Sequence, residues 1–390
     1  MNNQSRAWAE INLDAIAHNV QEIRRITSSH AEVMGVVKAD AYGHGVREVA
    51  NTLLANGVTR LAVSMVDEAI ELRQDGIRVP LLVLGYTDPC RADDIIDYDI
   101  TQTVFTHELA RALSERAEQR LARVKVHVKI DTGMGRVGFL PGYSAVKDVV
   151  EISKLPGLVI EGMFTHFAVA DEAGQQDAYT LRQFELFNNI STELSRVGIH
   201  IPVRHVANSA AIIRFPQMHL DLVRAGIILY GLHPSAATDT GAIDLWPAMS
   251  LKARVTNLKE LEAGSSVSYG RTFQTKARSR IATVSIGYAD GYLRAFSNRA
   301  CVGINGERCP VRGRVCMDQL MADVSCMKGP VSVGDTVELF GGEISVNELA
   351  VLADTINYEL VCLIGKRVPR VYYKEGRVCN VLNFIVKEAL

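Results

Sequence analysis

Short apolar runs return along the first part of the chain, with polar, helix-patterned stretches between them. The runs are VMGVV (33–37), RLAVS (60–64), PLLVLG (80–85), TQTVF (101–105), VKVHVKI (124–130), LVIEGMF (158–164), PVRHV (202–206) and LDLVRAG (220–226). Several are apolar almost throughout, as parallel strands covered on both faces are. Between them the period changes. Val46, Val49, Ala50, Leu53 and Leu54 recur at helical spacing up to a stop at Asn56-Gly57, and Phe184, Phe187, Ile190 and Leu194 predict a longer amphipathic helix. Ser64-x-x-Asp67 has the form of a capping box, and Asp75-Gly76 closes the segment that follows it. Eight strands alternating with helices predict an α/β fold whose N-terminal part is a (β/α)8 barrel of the TIM type. An open doubly wound sheet would show the same local patterns, and the count of eight favours the barrel.

Beyond residue 235 the texture changes. SAATDTGAIDLWP (235–247) reads as a linker, followed by stretches rich in Val, Thr and Gly such as LKARVTNLKEL, SRIATVSIGYADGY, VGDTVELFGG and PRVYYKEGRVCNVLN. Ile304-Asn305-Gly306 and Gly341-Gly342 punctuate them as turns. The expected organisation is a barrel domain over residues 1–240 and a mostly β C-terminal domain over 241–390, with a helical insert in SVNELAVLADTIN (345–357).

Composition narrows the function classes. The chain has 390 residues, 48% hydrophobic and 22% charged, and a formal net charge of −2. No basic excess points to nucleic acid, and no apolar run approaches the roughly 18 residues needed to span a membrane. The opening MNNQSRAWAEINLD lacks the pattern of a secretion signal. Seven cysteines, widely spaced and without C-x-x-C, support neither a disulfide framework nor a zinc site. A cytoplasmic protein with reduced thiols and no metal is expected.

Candidate chemistry collects at strand ends, where barrels of this type carry their sites. Lys38 follows the first run directly; alone, it could be a strand-end lysine whose stem lies on the core, or a partly buried amine able to form a Schiff base. Lys129 lies near the end of the fifth strand with Asp131 and Arg136 beyond it, Thr165 and His166 end the sixth, Asn208 and Ser209 follow the seventh, and Arg224 and Gly226 end the eighth. Ser209 and Gly226 occupy the two loops with which barrels often seat a phosphate, although Ser209 could also be a helix cap. GMGRVG (133–138) matches the dinucleotide fingerprint, but Pro141-Gly142 would break the helix that the fingerprint requires. His127 and His205 sit within strands and are expected to be hydrogen-bonded core histidines.

These residues also resemble a known family. AEVMGVVKADAYGHG, KIDTGMGRVGF, EGMFTHFAVAD, HVANSAA, LVRAGIILYGL, VSYGRTF, IGYADGY, GRVCMDQ and TINYE are similar, in order, to segments of the alanine racemases, which use pyridoxal 5′-phosphate. The resemblance implies a cofactor-binding barrel followed by a β domain, in a head-to-tail homodimer that interconverts L- and D-alanine and supplies D-alanine for peptidoglycan. It implies that Lys38 carries the cofactor, that Tyr42, Ser209, Gly226, Ile227 and Tyr358 hold its phosphate, and that Arg224 faces its ring nitrogen. Lys38 and Tyr269 would be the two acid/base groups, Tyr269 coming from the partner subunit and linked through His166 to Arg224. Without the resemblance, Tyr269 reads as an ordinary turn aromatic. Arg136 would bind the substrate carboxylate, with Met317 and Asp318 contributed by the partner. Lys129 matches a position that is carbamylated in some members, and Asp171, Tyr288, Arg294, Arg314 and Ile356 would line a narrow access corridor suited to a small amino acid. A racemase of serine or a basic amino acid, or a non-catalytic cofactor-binding protein, is the alternative.

Overall fold

Parallel pairing of eight short strands organises the larger part of the protein, seen in a computed structural model that describes residues 5–386. Residues 1–4, part of the opening stretch read above for a secretion signal, lie outside the described residues. After β1 (Ala7–Asn12), which belongs elsewhere, the strands are β2 (Glu32–Val36), β3 (Arg60–Val63), β4 (Leu81–Val83), β5 (Thr101–Val104), β6 (Val124–Lys129), β7 (Leu158–Phe164), β8 (Val203–His205) and β9 (Leu222–Ala225). Each falls within one of the runs read from the sequence or overlaps it closely. The ladder runs β8-β7-β6-β5-β4-β3-β2-β9. Between β8 and β9 the barrel is closed by separate contacts: the Arg224 N–H donates to the Ala207 carbonyl at 2.9 Å and the Asp221 N–H to the Arg204 carbonyl at 3.2 Å. This settles the choice between barrel and open sheet.

The intervening helices form where the apolar period changes. Val46–Ala55 buries Val46, Val49, Ala50 and Leu53, and Gly57 beyond it takes φ +97°. The helix Val66–Gln74 is capped differently from the Ser64-x-x-Asp67 reading. Its cap position is Met65, and the Glu68 carboxylate accepts from the N–H groups of Ser64 and Met65 at 2.7 and 3.3 Å. The unit comprises residues 16–41 and 46–246. Among the described residues no helix is long and apolar enough to cross a membrane.

Of the described residues, the second unit comprises 5–15, the short stretch Tyr42–Gly45, and 247–386. The chain passes from one unit to the other at Trp246–Pro247, and β1 is grouped with the β unit. It pairs antiparallel with β10 (Met249–Leu261) and parallel with the strand Arg370–Lys374, a partnership that no local pattern announces. The expected helical insert is present as Val346–Ala353, capped by the Ser345 hydroxyl on the Asn347 N–H, and a second short helix, Asn357–Cys362, follows. The glycines of the opening Lys38 stretch belong partly to this unit. A side chain at Gly43 would meet the Val361 carbonyl at 2.2 Å, and one at Gly45 the Tyr372 hydroxyl at 1.7 Å. Both positions have positive φ, so packing and backbone conformation each demand glycine.

Candidate active site

The carboxyl ends of the barrel strands gather most of the residues singled out above. Lys38 leaves β2 and opens a turn in which Ala39, Asp40, Ala41 and Tyr42 all have φ of 53–54°, the left-handed region. Side chains and backbone hold this turn: the Ala39 N–H donates to Glu68 at 2.6 Å, the Val46 N–H to Asp40 at 2.7 Å, and the Ala41 N–H to the Val37 carbonyl at 2.9 Å.

Lys129 ends β6 and is 2% exposed. Its ammonium donates to the carbonyls of Ile130 and Val137 at 2.9 and 3.3 Å and lies 5.6 Å from the Phe164 ring centroid. Burial, against the pull of Asp131 and helped by Arg224 and Arg136, brings its pKa down to about 7. The next loop winds around Asp131, which accepts the N–H groups of Gly133, Gly135 and Arg136 at 3.1, 3.0 and 3.2 Å. Burial opposes ionisation there, but those N–H donors and Lys129 outweigh it and hold the carboxyl below its usual range. The glycine-rich loop therefore presents an exposed Arg136, and no helix opens at its glycines; the next one is Tyr143–Ser153.

Thr165 and His166 follow β7. The Gln183 amide, from the long helix Asp177–Arg196, donates to the His166 carbonyl at 3.2 Å and accepts from the Ala168 N–H at 3.0 Å. Sequence reasoning missed Gln183. The signal was a polar residue on the stripe that buries Phe187, Ile190 and Leu194. Burial, then Arg224, Arg136, Lys129 and Lys38 in turn, pushes the His166 imidazole far below its ordinary range, so it is neutral.

Asn208, not Ser209, caps the helix Ser209–Arg214, accepting from the Ala211 N–H at 3.0 Å. That leaves the Ser209 hydroxyl to accept from the Gly226 N–H at 2.9 Å, joining the two loops expected to seat phosphate. Ile227 begins a buried single turn whose Tyr230 hydroxyl donates to the Val36 carbonyl at 2.9 Å, behind Lys38. Arg224 is fully enclosed. It donates to the carbonyls of Thr165, His205 and Val206 at 2.9, 2.9 and 3.1 Å, with His166 Nδ1 at 3.4 Å. Burial and, second, Arg136 lower its pKa to about 9, which leaves it a cation at neutral pH. Asp171 lies beyond His166, its carbonyl taking the Ser235 hydroxyl.

The β unit assembles the remaining residues on its own surface. Ser268, with φ +66°, donates to the Arg314 carbonyl at 2.6 Å and places Tyr269 next to that segment. The N–H groups of Tyr288 and Ala289 donate to the carbonyls of Cys316 and Met317 at 3.0 and 3.1 Å. A side chain at Gly287 would strike the same two carbonyls at 2.2 and 2.4 Å. Asp318 is held by Arg367 at 2.6 Å, and Arg367 also faces the buried Asp290 at 3.5 Å. Arg294 opens a short turn whose Ser297 hydroxyl accepts from the Val315 N–H at 3.0 Å. Ile356 caps the helix Asn357–Cys362, and Tyr358 on that helix lies 6.2 Å from Tyr42, ring centroid to centroid. Burial pushes the Tyr42 phenol pKa up, so it remains protonated.

Lys38, Lys129, His166, Ser209 and Arg224 at one end of a (β/α)8 barrel make that end the candidate active site. Comparison with known proteins identifies the family. Residues 11–234 match the alanine racemase N-terminal domain and residues 248–372 the alanine racemase C-terminal domain. Alanine racemase 1 of Clostridium acetobutylicum is 48% identical over 383 residues, 97% of this chain and 98% of that protein. The alanine racemase of Desulforamulus reducens is 49% identical over 366 residues, 94% of this chain and 98% of that protein. Among solved structures, an alanine racemase of Clostridium difficile superposes with a TM-score of 0.95 at 42% identity, covering 99% of this chain and 100% of that chain. An alanine racemase of Bacillus anthracis with bound L-Ala-P gives 0.92 at 38% identity, covering 99% of each chain. The chain belongs to the alanine racemase family and is an isomerase of that family.

Proposed function

We propose that the protein interconverts L- and D-alanine with bound pyridoxal 5′-phosphate, using Lys38 and Tyr269 as its two proton-transferring groups. The observation that carries the reading is the placing of Lys38, Lys129, His166, Ser209 and Arg224 at the carboxyl ends of the barrel strands, with the buried Arg224 3.4 Å from His166 Nδ1. Such a site suits an anionic cofactor together with an anionic substrate.

The residues fit the cofactor. Ser209, Gly226 and Ile227 offer a small, hydrogen-bonding seat for a phosphate; Tyr42 and Tyr358, 6.2 Å apart in the β unit, are assigned to the phosphate by likeness to the family alone. Arg224 can only donate, so it suits a ring nitrogen that carries no proton. Lys38 supplies the amine for attachment. Pyridoxal phosphate, when bound, withdraws electrons from Cα of an attached amino acid and so acidifies its Cα–H.

The rest is the work of this chain's side chains. The Arg136 fork takes the substrate carboxylate, and Met317 and Asp318 of a second copy bound the same space. The Lys38 amine removes or returns a proton on one face of Cα, and the Tyr269 hydroxyl of the second copy serves the other. His166 Nδ1 must accept from Arg224, which leaves its Nε2–H to donate toward the tyrosine oxygen. Lys129, as a carbamate, would turn a cation near Arg136 into an anion able to orient it. By likeness to the family, Asp171, Tyr288, Arg294, Arg314 and Ile356 are assigned to the access route, and a narrow route would favour alanine. The D-alanine formed supplies peptidoglycan in the cytoplasm.

The test is racemisation of L- and D-alanine by purified protein in deuterated water with added pyridoxal phosphate. Conversion both ways with deuterium at Cα supports the reading, and Tyr269→Ala should lose racemisation in both directions while still turning yellow. A yellow protein inactive on alanine would move the reading to serine or lysine. A protein that stays colourless would remove Lys38 from its role.

A further inference from the structure

Arg224 is a buried cation whose counter-charge is not beside it. It is 3% exposed, and no carboxylate pairs with it among the described residues. Its Nη1 stands 3.0 Å from His205 Nδ1. Because arginine only donates, that nitrogen accepts and the His205 proton sits on Nε2. His205 Nε2 is 2.8 Å from His127 Nδ1, so it donates there and forces the His127 proton onto its own Nε2. His127 Nε2 is in turn 3.0 Å from Glu161 Oε2. One direction runs through every step, away from Arg224 and toward the carboxylate. Arg60 anchors the far end, 3.1 Å from Glu161 and 3.1 Å from Glu32.

The backbone is built around this line. Where β6 meets β7, Val126 faces Ile160 but His127 faces Gly162, so Glu161 is the extra residue of a bulge. A bulge re-aims the side chain it carries. A side chain at Gly162 would come within 2.6 Å of the His127 ring, so the residue after the bulge leaves room for the imidazole. The Phe164 ring stacks on His205, centroids 4.7 Å apart and planes at 9°. Barrel interiors are ordinarily filled by Val, Ile and Leu, and a polar column there is stable only when every member is satisfied. Burial keeps both histidines below their ordinary range and hence neutral, and the His127 hydrogen bond, against burial and aided by Arg60, brings Glu161 down to about 2.

We propose that His205, His127 and Glu161 form a directional hydrogen-bond line that supplies Arg224 with its counter-charge at a distance and locks it as a donor. Glu161 and the two histidines are therefore positioning residues for the arginine. That this arginine faces a cofactor ring rests on the function proposed above; the line itself does not.

The test is long-range 15N–1H correlation on protein labelled at histidine, with and without pyridoxal phosphate, and 13C observation of the arginine Cζ signals. Both rings should be neutral and protonated on Nε2; an Nδ1–H tautomer or a cationic ring at either position overturns the line. In Glu161→Gln the amide can donate as well as accept, so the His205 and His127 tautomers should become mixed and the Arg224 titration should fall by about one pH unit. Arg60→Gln keeps the carboxylate and should leave the tautomers unchanged and the titration no lower. Equal losses in the two variants would make the column a brace only and overturn the proposal. If Glu161→Gln does not fold, the wild-type tautomers still decide. Racemisation assayed in parallel separates the two readings: native tautomers in a protein that does not racemise alanine would remove only the proposed activity.

Discussion

At the end of β6 the Lys129 ammonium has two carbonyls, Asp131 and the Phe164 ring around it, with Arg224 and Arg136 near enough to repel it. Its pKa is about 7 folded and 10.5 for a free lysine. Between those values the unfolded chain binds more protons than the folded one, so stability rises with pH across that window. Below pH 7 the penalty is fully present, on the order of a few kcal/mol. Lys129→Met keeps the stem on Phe164 and removes the charge. It should therefore be more stable than the parent at pH 6, by urea midpoint, with the advantage shrinking toward pH 10. The same fraction of neutral amine should react with carbon dioxide. A 13C carbamate signal from labelled bicarbonate, absent in Lys129→Met, would support the carbamylated form; its absence from the parent would exclude that role. Position at a strand end marked Lys129 as a candidate. The surroundings that set its charge come from other strands and could not be read locally. His127 and His205 show the same divide: their strand pattern marked them as core, and their partners were visible only once β6, β7, β8 and β9 were side by side.

The element that follows Lys38 has no sequence signature at all. Of Ala39, Asp40, Ala41 and Tyr42 only Asp40 is of a type that tolerates positive φ, and left-handed helix costs about 1–2 kcal/mol for each of the others. The turn persists because its surroundings over-determine it. Glu68, at the start of the next but one helix, accepts from the Ala39 N–H while also capping that helix through Ser64 and Met65. One carboxylate therefore fixes both the cap and the segment bearing Lys38. Glu68→Ala should cost about 1–2 kcal/mol in urea unfolding and slow the return of yellow colour when the protein stripped of cofactor is given pyridoxal phosphate. Unchanged recovery of colour would separate the turn from cofactor attachment. By contrast, the barrel strands were legible because two-sided burial leaves nearly continuous apolar runs such as LLV in β4. The place of β1 was not, because its partners lie more than two hundred residues away along the chain.

On the scale of the whole molecule, the β unit carries side chains with little to cover them in one copy: Tyr269 is 70% exposed, Ile356 57%, Met317 53% and Tyr288 42%. Gly270, Gly287 and Gly313 shape the loops beside Tyr269, Tyr288 and Met317, at positions where an added Cβ would meet Arg314 or neighbouring backbone. Exposed groups of this kind mark an interaction surface. If each site is made from the barrel unit of one copy and Tyr269, Met317 and Asp318 of another, then inactivating the two halves on different chains leaves hybrids competent. In a dimer of Lys38→Ala with Tyr269→Ala, one site carries both changes and the other carries neither. Random reassortment of equal amounts gives about half hybrids, so activity should return to about a quarter of the native value, from two preparations that are each inactive in racemisation. Mixtures no more active than the separate variants, under conditions where exchange is verified by mass, would place Lys38 and Tyr269 in a site made by a single chain.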